Sequence, residues 1–204
     1  YISGNYMNNP GIMENSGYER YSARVNLDAE VKDWFTIGVN AYGTRGKEEL
    51  GLLKTESNDN FYTYMQATTP GICYQAPDGR YGGVNNSEDD PQSSSNNVLK
   101  MLNDVKGNRT TNNIVSRFYA QLRPFKGLTI EGSYTYAFSD QFLYQQPVFH
   151  DLWNLYDNTL QIAGTGVSKV INRNNKTVRN NMDGLVRYET DIDRLNIQAT
   201  VGAS

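Results

Sequence analysis

The chain of 204 residues is poor in the groups on which enzyme catalysis depends. It has one cysteine, Cys73, and one histidine, His150, and neither has a partner at a spacing that marks a nucleophile or a general base. A single cysteine also excludes an internal disulfide, and we expect Cys73 to be a small buried side chain. The sequence therefore predicts that the protein is not an enzyme, has no catalytic residues and uses no cofactor.

Long apolar runs and basic clusters are missing as well. No run reaches the roughly 18 apolar residues of a transmembrane helix. The net charge is −3 at pH 7 and no basic cluster stands out, which argues against a nucleic-acid partner. The acidic triplet Glu88, Asp89 and Asp90 lacks the spacing of an EF-hand, so we interpret it as a solvated loop and predict no metal site.

An alternation of polar and apolar residues is the dominant pattern that is present. Between residues 18 and 31 the even positions are polar, and the odd positions after Glu19 are nearly all apolar. A period of two places these two sets on opposite faces of a strand. Because the run exceeds the usual globular strand of about 5–6 residues, it predicts a strand with lipid on one side and water on the other.

Seven strands of this kind can be placed along the chain. They are predicted at residues 1–7, 18–31, 34–45, 111–123, 128–144, 176–189 and 194–203. Long polar loops are predicted at 46–107 and 145–175, with short helices at 58–68 and 98–105 in the first of them.

The lengths of the connections separate a membrane barrel from a soluble fold. Short turns at one rim and long loops at the other are typical of an outer-membrane β-barrel with periplasmic turns and extracellular loops. A soluble sandwich uses shorter strands and mixes its loop lengths more freely. We therefore predict an all-β fold, an antiparallel segment of about seven strands from a larger transmembrane β-barrel.

Residues 16–40, SGYERYSARVNLDAEVKDWFTIGVN, resemble a recurrent barrel sequence of the SusC/RagA family, the TonB-linked outer-membrane transporters of Bacteroidetes. The match is carried by SGYER at 16–20, RVNLD at 24–28 and WFTIG at 34–38. PFKGL at 124–128 is similar to a turn of the family, and PDGRY at 77–81 is similar to one of its loop motifs.

The resemblance implies a location in the bacterial outer membrane and a role in transport. Residues 1–204 would form part of the wall of a plugged barrel of roughly 22 strands, and the plug and TonB box are not in this chain. The implied function is TonB-dependent import of a nutrient, a glycan or a peptide, passed on by a SusD-like surface lipoprotein. The implied partners are that lipoprotein, TonB acting through segments outside this chain, and outer-membrane lipid.

The resemblance also gives two groups of side chains a role. The polar strand faces would point into the lumen, where their charges pair with the plug or line a solute path; the candidates are Arg20, Arg24, Asp28, Glu30, Arg117, Arg123 and Glu131. Aromatic rings in the long loops would stack on a sugar or pack within the loops and against the lipoprotein; the candidates are Phe61, Tyr62, Tyr64, Tyr74, Tyr81, Trp153 and Tyr156.

Two alternatives stay open on the sequence alone. The first is a TonB-dependent receptor for siderophores or cobalamin, against which the match at 16–40 argues. The second is a soluble, secreted, β-rich carbohydrate-binding module, which would have both faces of its strands covered by protein.

Overall fold

A single antiparallel sheet organises the chain. The computed structural model describes residues 1–50, 73–83, 97–192 and 195–204. The elements along them are β1 (Ile2–Pro10), β2 (Ser16–Lys32), β3 (Phe35–Leu50), β4 (Tyr81–Gly82), α1 (Val98–Asn103), β5 (Val105–Leu122), β6 (Leu128–Pro147), β7 (Leu152–Asn154), β8 (Thr159–Ile162), β9 (Ile171–Ile192) and β10 (Leu195–Ala203). Seven strands pair in the order β1-β2-β3-β5-β6-β9-β10, which confirms the predicted antiparallel fold class.

The strands run further towards the long loops than predicted. β5 begins at Val105 instead of residue 111, and β9 begins at Ile171 instead of residue 176. The extensions, VKGNRT in β5 and INRNN in β9, are mostly polar, so both faces are polar there. The alternation that marks a half-buried strand therefore disappears, although the backbone pairing continues.

The short turns are staggered in a way that fixes the tilt of the strands. The turn between β2 and β3 closes at the pair Lys32–Phe35, and the row of Phe35 crosses the sheet to Val186 on β9. The turn between β9 and β10 closes beyond Ile192. That stagger is about 20 Å over four strand spacings of about 4.8 Å, so the strands tilt by about 45° when the short turns lie at one level. Strands of outer-membrane barrels tilt by about 35–45°.

One face of the sheet is apolar over a broad band, and we call it the apolar face. Its central row is formed by residues that pair across five strands, Leu27, Val39, Phe118, Tyr134 and Met182. Leu27 and Phe118 are each 51% exposed, so none of the described residues covers this face. Beyond Phe138 the next position on this face is Asp140, which pairs with Lys176 and ends the band.

The height of the band matches a membrane. From Leu128 to Phe138 the apolar face follows β6 for about 34 Å at about 3.4 Å per residue, which corresponds to about 24 Å along the membrane normal at a 45° tilt. The apolar band of an outer-membrane barrel is about 25 Å tall. No helix within the described residues is long and apolar enough to cross a membrane.

The buried apolar side chains of the described residues lie in the long loops and not in the sheet. β4, β7 and β8 form a second, three-stranded sheet in which β4 and β7 run parallel. Leu152 on β7 is only 1% exposed, and Leu102 on α1 is also buried. This small sheet was not predicted, because strands of two to four residues carry no readable period.

The structure tests two of the smaller expectations. A short helix, α1, occupies Val98–Asn103 within the predicted range 98–105. Cys73 is exposed, so the expectation that it is a small buried side chain is wrong. The helix predicted at 58–68 and the acidic triplet at 88–90 lie outside the described residues.

Candidate functional site

The register of the sheet gathers the predicted charged residues on the face opposite Leu27 and Phe118, which we call the polar face. Six of them alternate with apolar-face residues along β2, β5 and β6; they are Arg20, Arg24, Asp28, Glu30, Arg117 and Glu131. Arg123 follows the end of β5, and its Nη2 donates a hydrogen bond to Gln121 Oε1 on the polar face at 2.7 Å. The seven candidates therefore share one side of the sheet, as a solute path or a contact with a plug would require.

Two ion pairs connect neighbouring strands across the polar face. Arg117 Nη2 lies 2.7 Å from Glu131 Oε1, and Arg109 Nη1 lies 3.4 Å from Glu48 Oε2. All four side chains are partly exposed, so each pair contributes no more than about 1 kcal/mol to stability. Their effect is chiefly to hold the guanidinium groups flat against the sheet.

On the polar face the Tyr119 side chain lies across β3 at Gly38, where no side chain blocks it. Asp28, Gly38 and Tyr119 are paired across β2, β3 and β5, and the Tyr119 hydroxyl donates a hydrogen bond to Asp28 Oδ1. A Cβ atom on Gly38 would lie 2.6 Å from Asp28 Oδ1 and would overlap the Tyr119 ring. An aromatic ring laid over a strand glycine in this way fixes register. The sequence signal for it is the isolated glycine within an alternating strand.

Asn97 holds the loop sheet together. Its side chain is buried, and Nδ2 donates to the carbonyl of Gly82 at 2.7 Å and also to that of Tyr74. Its Oδ1 accepts a hydrogen bond from the Lys100 amide at 2.9 Å and so caps α1. One side chain thereby satisfies three backbone groups from two separate segments.

The predicted aromatic contacts divide into packed and open rings. The Arg80 guanidinium lies 5.0 Å from the centre of the Trp153 ring, and Asp78 pairs with Arg80 at 2.7 Å. Hydrogen bonds from the Arg80 amide and guanidinium hold the pKa of the Asp78 carboxyl below its ordinary value. Tyr81 is buried, which corresponds to packing within the loops, one of the roles expected for these rings.

The open rings are the better candidates for contacts outside the chain. Tyr156 is 77% exposed, and Tyr74 is exposed as well. Phe61, Tyr62 and Tyr64 lie outside the described residues.

His150 has a structural environment that its sequence position did not reveal. Its ring packs edge-on against Tyr81 with centroids 5.0 Å apart, and its Nδ1 lies 3.3 Å from Asp104 Oδ1. Burial, followed by the negative charges of Glu14 and Asp104, raises the pKa of the Tyr81 hydroxyl. Because His150, Tyr81 and Asp104 are far apart in sequence, no local pattern could have predicted that they contact each other.

Comparisons with known proteins show what this chain is similar to. No protein-family model matches the chain. TonB-dependent receptor P26 of Formosa agariphila is 27% identical over 206 residues, which is 100% of this chain and 19% of that protein. TonB-dependent receptor P3 of the same organism is 28% identical over 145 residues, 69% of this chain and 14% of that protein. The resemblance to SusC/RagA-type TonB-dependent transporters is confirmed.

Solved structures show the same fold. The structure of the RagAB peptide transporter superposes with a TM-score of 0.67 at 15% identity and covers 99% of this chain and 22% of that chain. The RagAB peptide importer in its closed-closed state gives a TM-score of 0.65 at 14% identity, over 92% of this chain and 20% of that chain. The sheet is thus a segment of a TonB-dependent barrel, and its location is the outer membrane.

Proposed function

We propose that this chain forms part of the wall of a TonB-dependent importer that carries a nutrient oligosaccharide across the outer membrane. The observation that carries the proposal is the two-sided sheet, with an uncovered apolar face about 24 Å tall and a polar face behind it. The chain spans 19% and 14% of the length of its two receptor relatives, so most of the importer lies in other segments.

The polar face supports a path for solute through the lumen. It carries Arg24, Asp28, Arg117 and Glu131 on neighbouring strands, together with amides and hydroxyls that hydrogen-bond to water or sugar equally well. In this proposal the energy for release comes through TonB and a plug, and the wall residues guide the solute.

The long loops support a partner at the outer rim. The buried cluster around Asn97 and Leu152 gives the loops a fixed shape, while Tyr74 and Tyr156 present their rings outward. We infer that these two rings contact a SusD-like lipoprotein or the nutrient that it delivers.

The alternatives are weaker on specific observations. A soluble carbohydrate-binding module would have its strand faces covered by protein, whereas Leu27 and Phe118 are open. A siderophore or cobalamin receptor is disfavoured by the likeness to RagAB. Peptide cargo is the second candidate, because the RagAB structures carry the names peptide transporter and peptide importer.

Uptake by whole cells tests the proposal. Cells that express the full-length protein receive fluorescent oligosaccharides or peptides, with and without a functional TonB and with and without a protonophore. We expect oligosaccharide uptake that stops when TonB or the proton gradient is lost, while surface binding remains. Uptake that does not depend on TonB would contradict the importer function. TonB-dependent uptake of peptides alone would show that the cargo is a peptide and not an oligosaccharide.

A further inference from the structure

The polar face is divided by charge along the direction of the strands. The four rows nearest the long loops, which pass through Arg24, Ser22, Arg20 and Tyr18 on β2, carry five arginines and one acid; they are Arg20, Arg24, Arg109, Arg173, Arg179 and Glu48. The next three rows towards the short turns carry four acids and one arginine; they are Asp28, Glu30, Glu131, Asp183 and Arg117. We call these the outer rows and the inner rows.

Among the described residues, most charged side chains of the inner rows have a partner within the sheet, whereas most arginines of the outer rows have no acidic partner there. In the inner rows Arg117 pairs with Glu131, Tyr119 donates to Asp28, and Ser133 Oγ donates to Asp183 Oδ2 at 3.4 Å. In the outer rows Glu48 pairs with Arg109. Across residues 1–50, 73–83, 97–192 and 195–204, no acidic side chain forms an ion pair with the other four outer arginines.

Two of the unpaired arginines have guanidinium donors that an anion could accept from. Arg20 Nε is buried and has no acceptor within the described residues, a state that costs free energy unless a partner arrives. The guanidinium of Arg24 lies 5.2 Å from the centre of the Tyr42 ring, which holds it in place but satisfies none of its donors. Arg173 and Arg179 are exposed on β9.

The spacing of the arginines points to a long ligand. Arg24 and Arg179 stand in one row four strands apart, about 19 Å at about 4.8 Å per strand. Arg20 and Arg24 lie about 14 Å apart along β2. A small anion could reach one of these groups, whereas an extended oligomer with repeated anionic groups could reach several.

The groups between the arginines are suited to contact the sugar rings of such an oligomer. They are mainly amides and hydroxyls, which donate to and accept from sugar hydroxyls: Thr44, Thr111, Asn113, Ser139, Gln141, Asn175 and Thr177. Ser139 Oγ already donates to Asn113 Oδ1 at 2.8 Å, so these groups form a connected polar surface.

We propose that the outer rows select an anionic oligosaccharide, one whose sugars carry carboxylate or sulfate groups. The proposal rests on the importer function and names its substrate class. Guanidinium groups bind both anions through paired hydrogen bonds. The acidic inner rows would oppose deep entry of the anion until the transport step, so the charge boundary would hold cargo near the outer rim.

Binding by the full-length transporter in detergent tests the charge requirement. The probes are an oligogalacturonate, a sulfated oligosaccharide, a neutral carboxyl-reduced counterpart and an oligoglutamate peptide. The variant is Arg24→Gln with Arg179→Gln, and Lys126→Gln with Arg187→Gln is the matched control, because it also removes two positive charges, from exposed positions near the short turns. Correct folding of each variant is checked by heat-modifiable mobility on a gel.

We expect the double variant to bind at least one of the two anionic oligosaccharides about tenfold more weakly, and the control to change affinity less than about twofold. Raising the salt from about 0.05 to 0.5 M should weaken binding by the unmodified protein more than binding by the double variant, because screening acts on the lost charges. The oligosaccharide that responds identifies carboxylate or sulfate as the group recognised.

Three results would overturn the inference. They are equal affinity of the double variant and the unmodified protein, equal affinity for the neutral counterpart, and a charge-dependent response to oligoglutamate alone, which would make the cargo an acidic peptide. Because these binding measurements need no TonB, they test the anionic cargo separately from the importer function. Uptake that does not depend on TonB would contradict the importer function but would not affect the conclusion on charge-selective binding.

Discussion

Substitution of Phe118 by arginine is the sharpest test of which face of the sheet meets lipid. Phe118 lies in the central row of the apolar face, four residues along β5 from Leu122 on the short-turn side and four from Ile114 on the loop side. An arginine on the lipid face at the midplane of a bilayer costs about 2–4 kcal/mol, and the cost falls to about 0–1 kcal/mol near the interface. Phe118→Arg should therefore lower the free energy of unfolding by about 2–4 kcal/mol.

Two variants on the same strand serve as controls at a shallower depth, one on each face of the sheet. Ile114→Arg moves the charge about 14 Å along β5, or about 10 Å along the membrane normal, and should cost about 0–1 kcal/mol. Val115→Arg keeps nearly the same depth as Ile114→Arg but points to the polar face, where it should cost a similar small amount. Only Phe118→Arg is expected to be strongly destabilising.

The assay is equilibrium unfolding in urea of the full-length protein in lipid vesicles, followed by tryptophan fluorescence and by gel mobility with and without heating. The expected order of destabilisation is Phe118→Arg well above Ile114→Arg and Val115→Arg. If Val115→Arg costs as much as Phe118→Arg, both faces are covered by protein and the barrel wall is refuted. If it costs more, the two faces have been exchanged.

Two further predictions concern the strand glycine and the loop cluster. Gly38→Val should cost about 1–3 kcal/mol in the same urea assay because its side chain displaces the Tyr119 ring, whereas Gly132→Val, which meets open space, should stay within about 0.5 kcal/mol; equal effects would remove the steric argument. Asn97→Ala should lower the free energy of local opening of the loop sheet, measured by hydrogen exchange, by about 1–3 kcal/mol, because a buried helix cap and two hydrogen bonds to carbonyl groups are lost. The urea midpoint of the barrel should not change. Lys100→Ala removes only the partly buried ion pair with Asp104 and should change the free energy of opening by less than about 1 kcal/mol. Protection that survives Asn97→Ala would mean that other contacts hold the loops.

The wall could be predicted from the sequence because its signals are local. The period of two in residues 18–31 gives the two faces of β2, and the short turn at residues 33–34 fixes its pairing with β3. The same reasoning places Arg24 and Asp28 on the polar face. The sequence could not show which residues of β3 pair with which residues of β5, because a long loop separates the two strands. The division of charge along the polar face depends on that pairing.

The loops resisted prediction for a different reason. β4 and β7 are two and three residues long, and they pair in parallel at Tyr81–Leu152 and Gly82–Trp153. Neither segment can alternate long enough to be recognised, and Asn97, whose side chain joins β4 to α1, looks like an ordinary helix cap in the sequence. The Tyr119–Asp28 contact was missed likewise, although the isolated Gly38 was a signal for it.

The two faces of the sheet also explain how the pairing of β3 with β5 is specified when no short turn sets it. A slip of β5 by one residue would bring Phe118 to the polar face and turn Arg117 and Arg109 towards lipid. At the midplane, Arg117 alone would cost about 2–4 kcal/mol, and its ion pair with Glu131 would be lost as well. The same slip would break the passage of Tyr119 over Gly38, because the ring would then meet a strand residue with a side chain. The alternation that first marked the strands therefore also selects their register, through the opposite costs of placing arginine in lipid and phenylalanine in water.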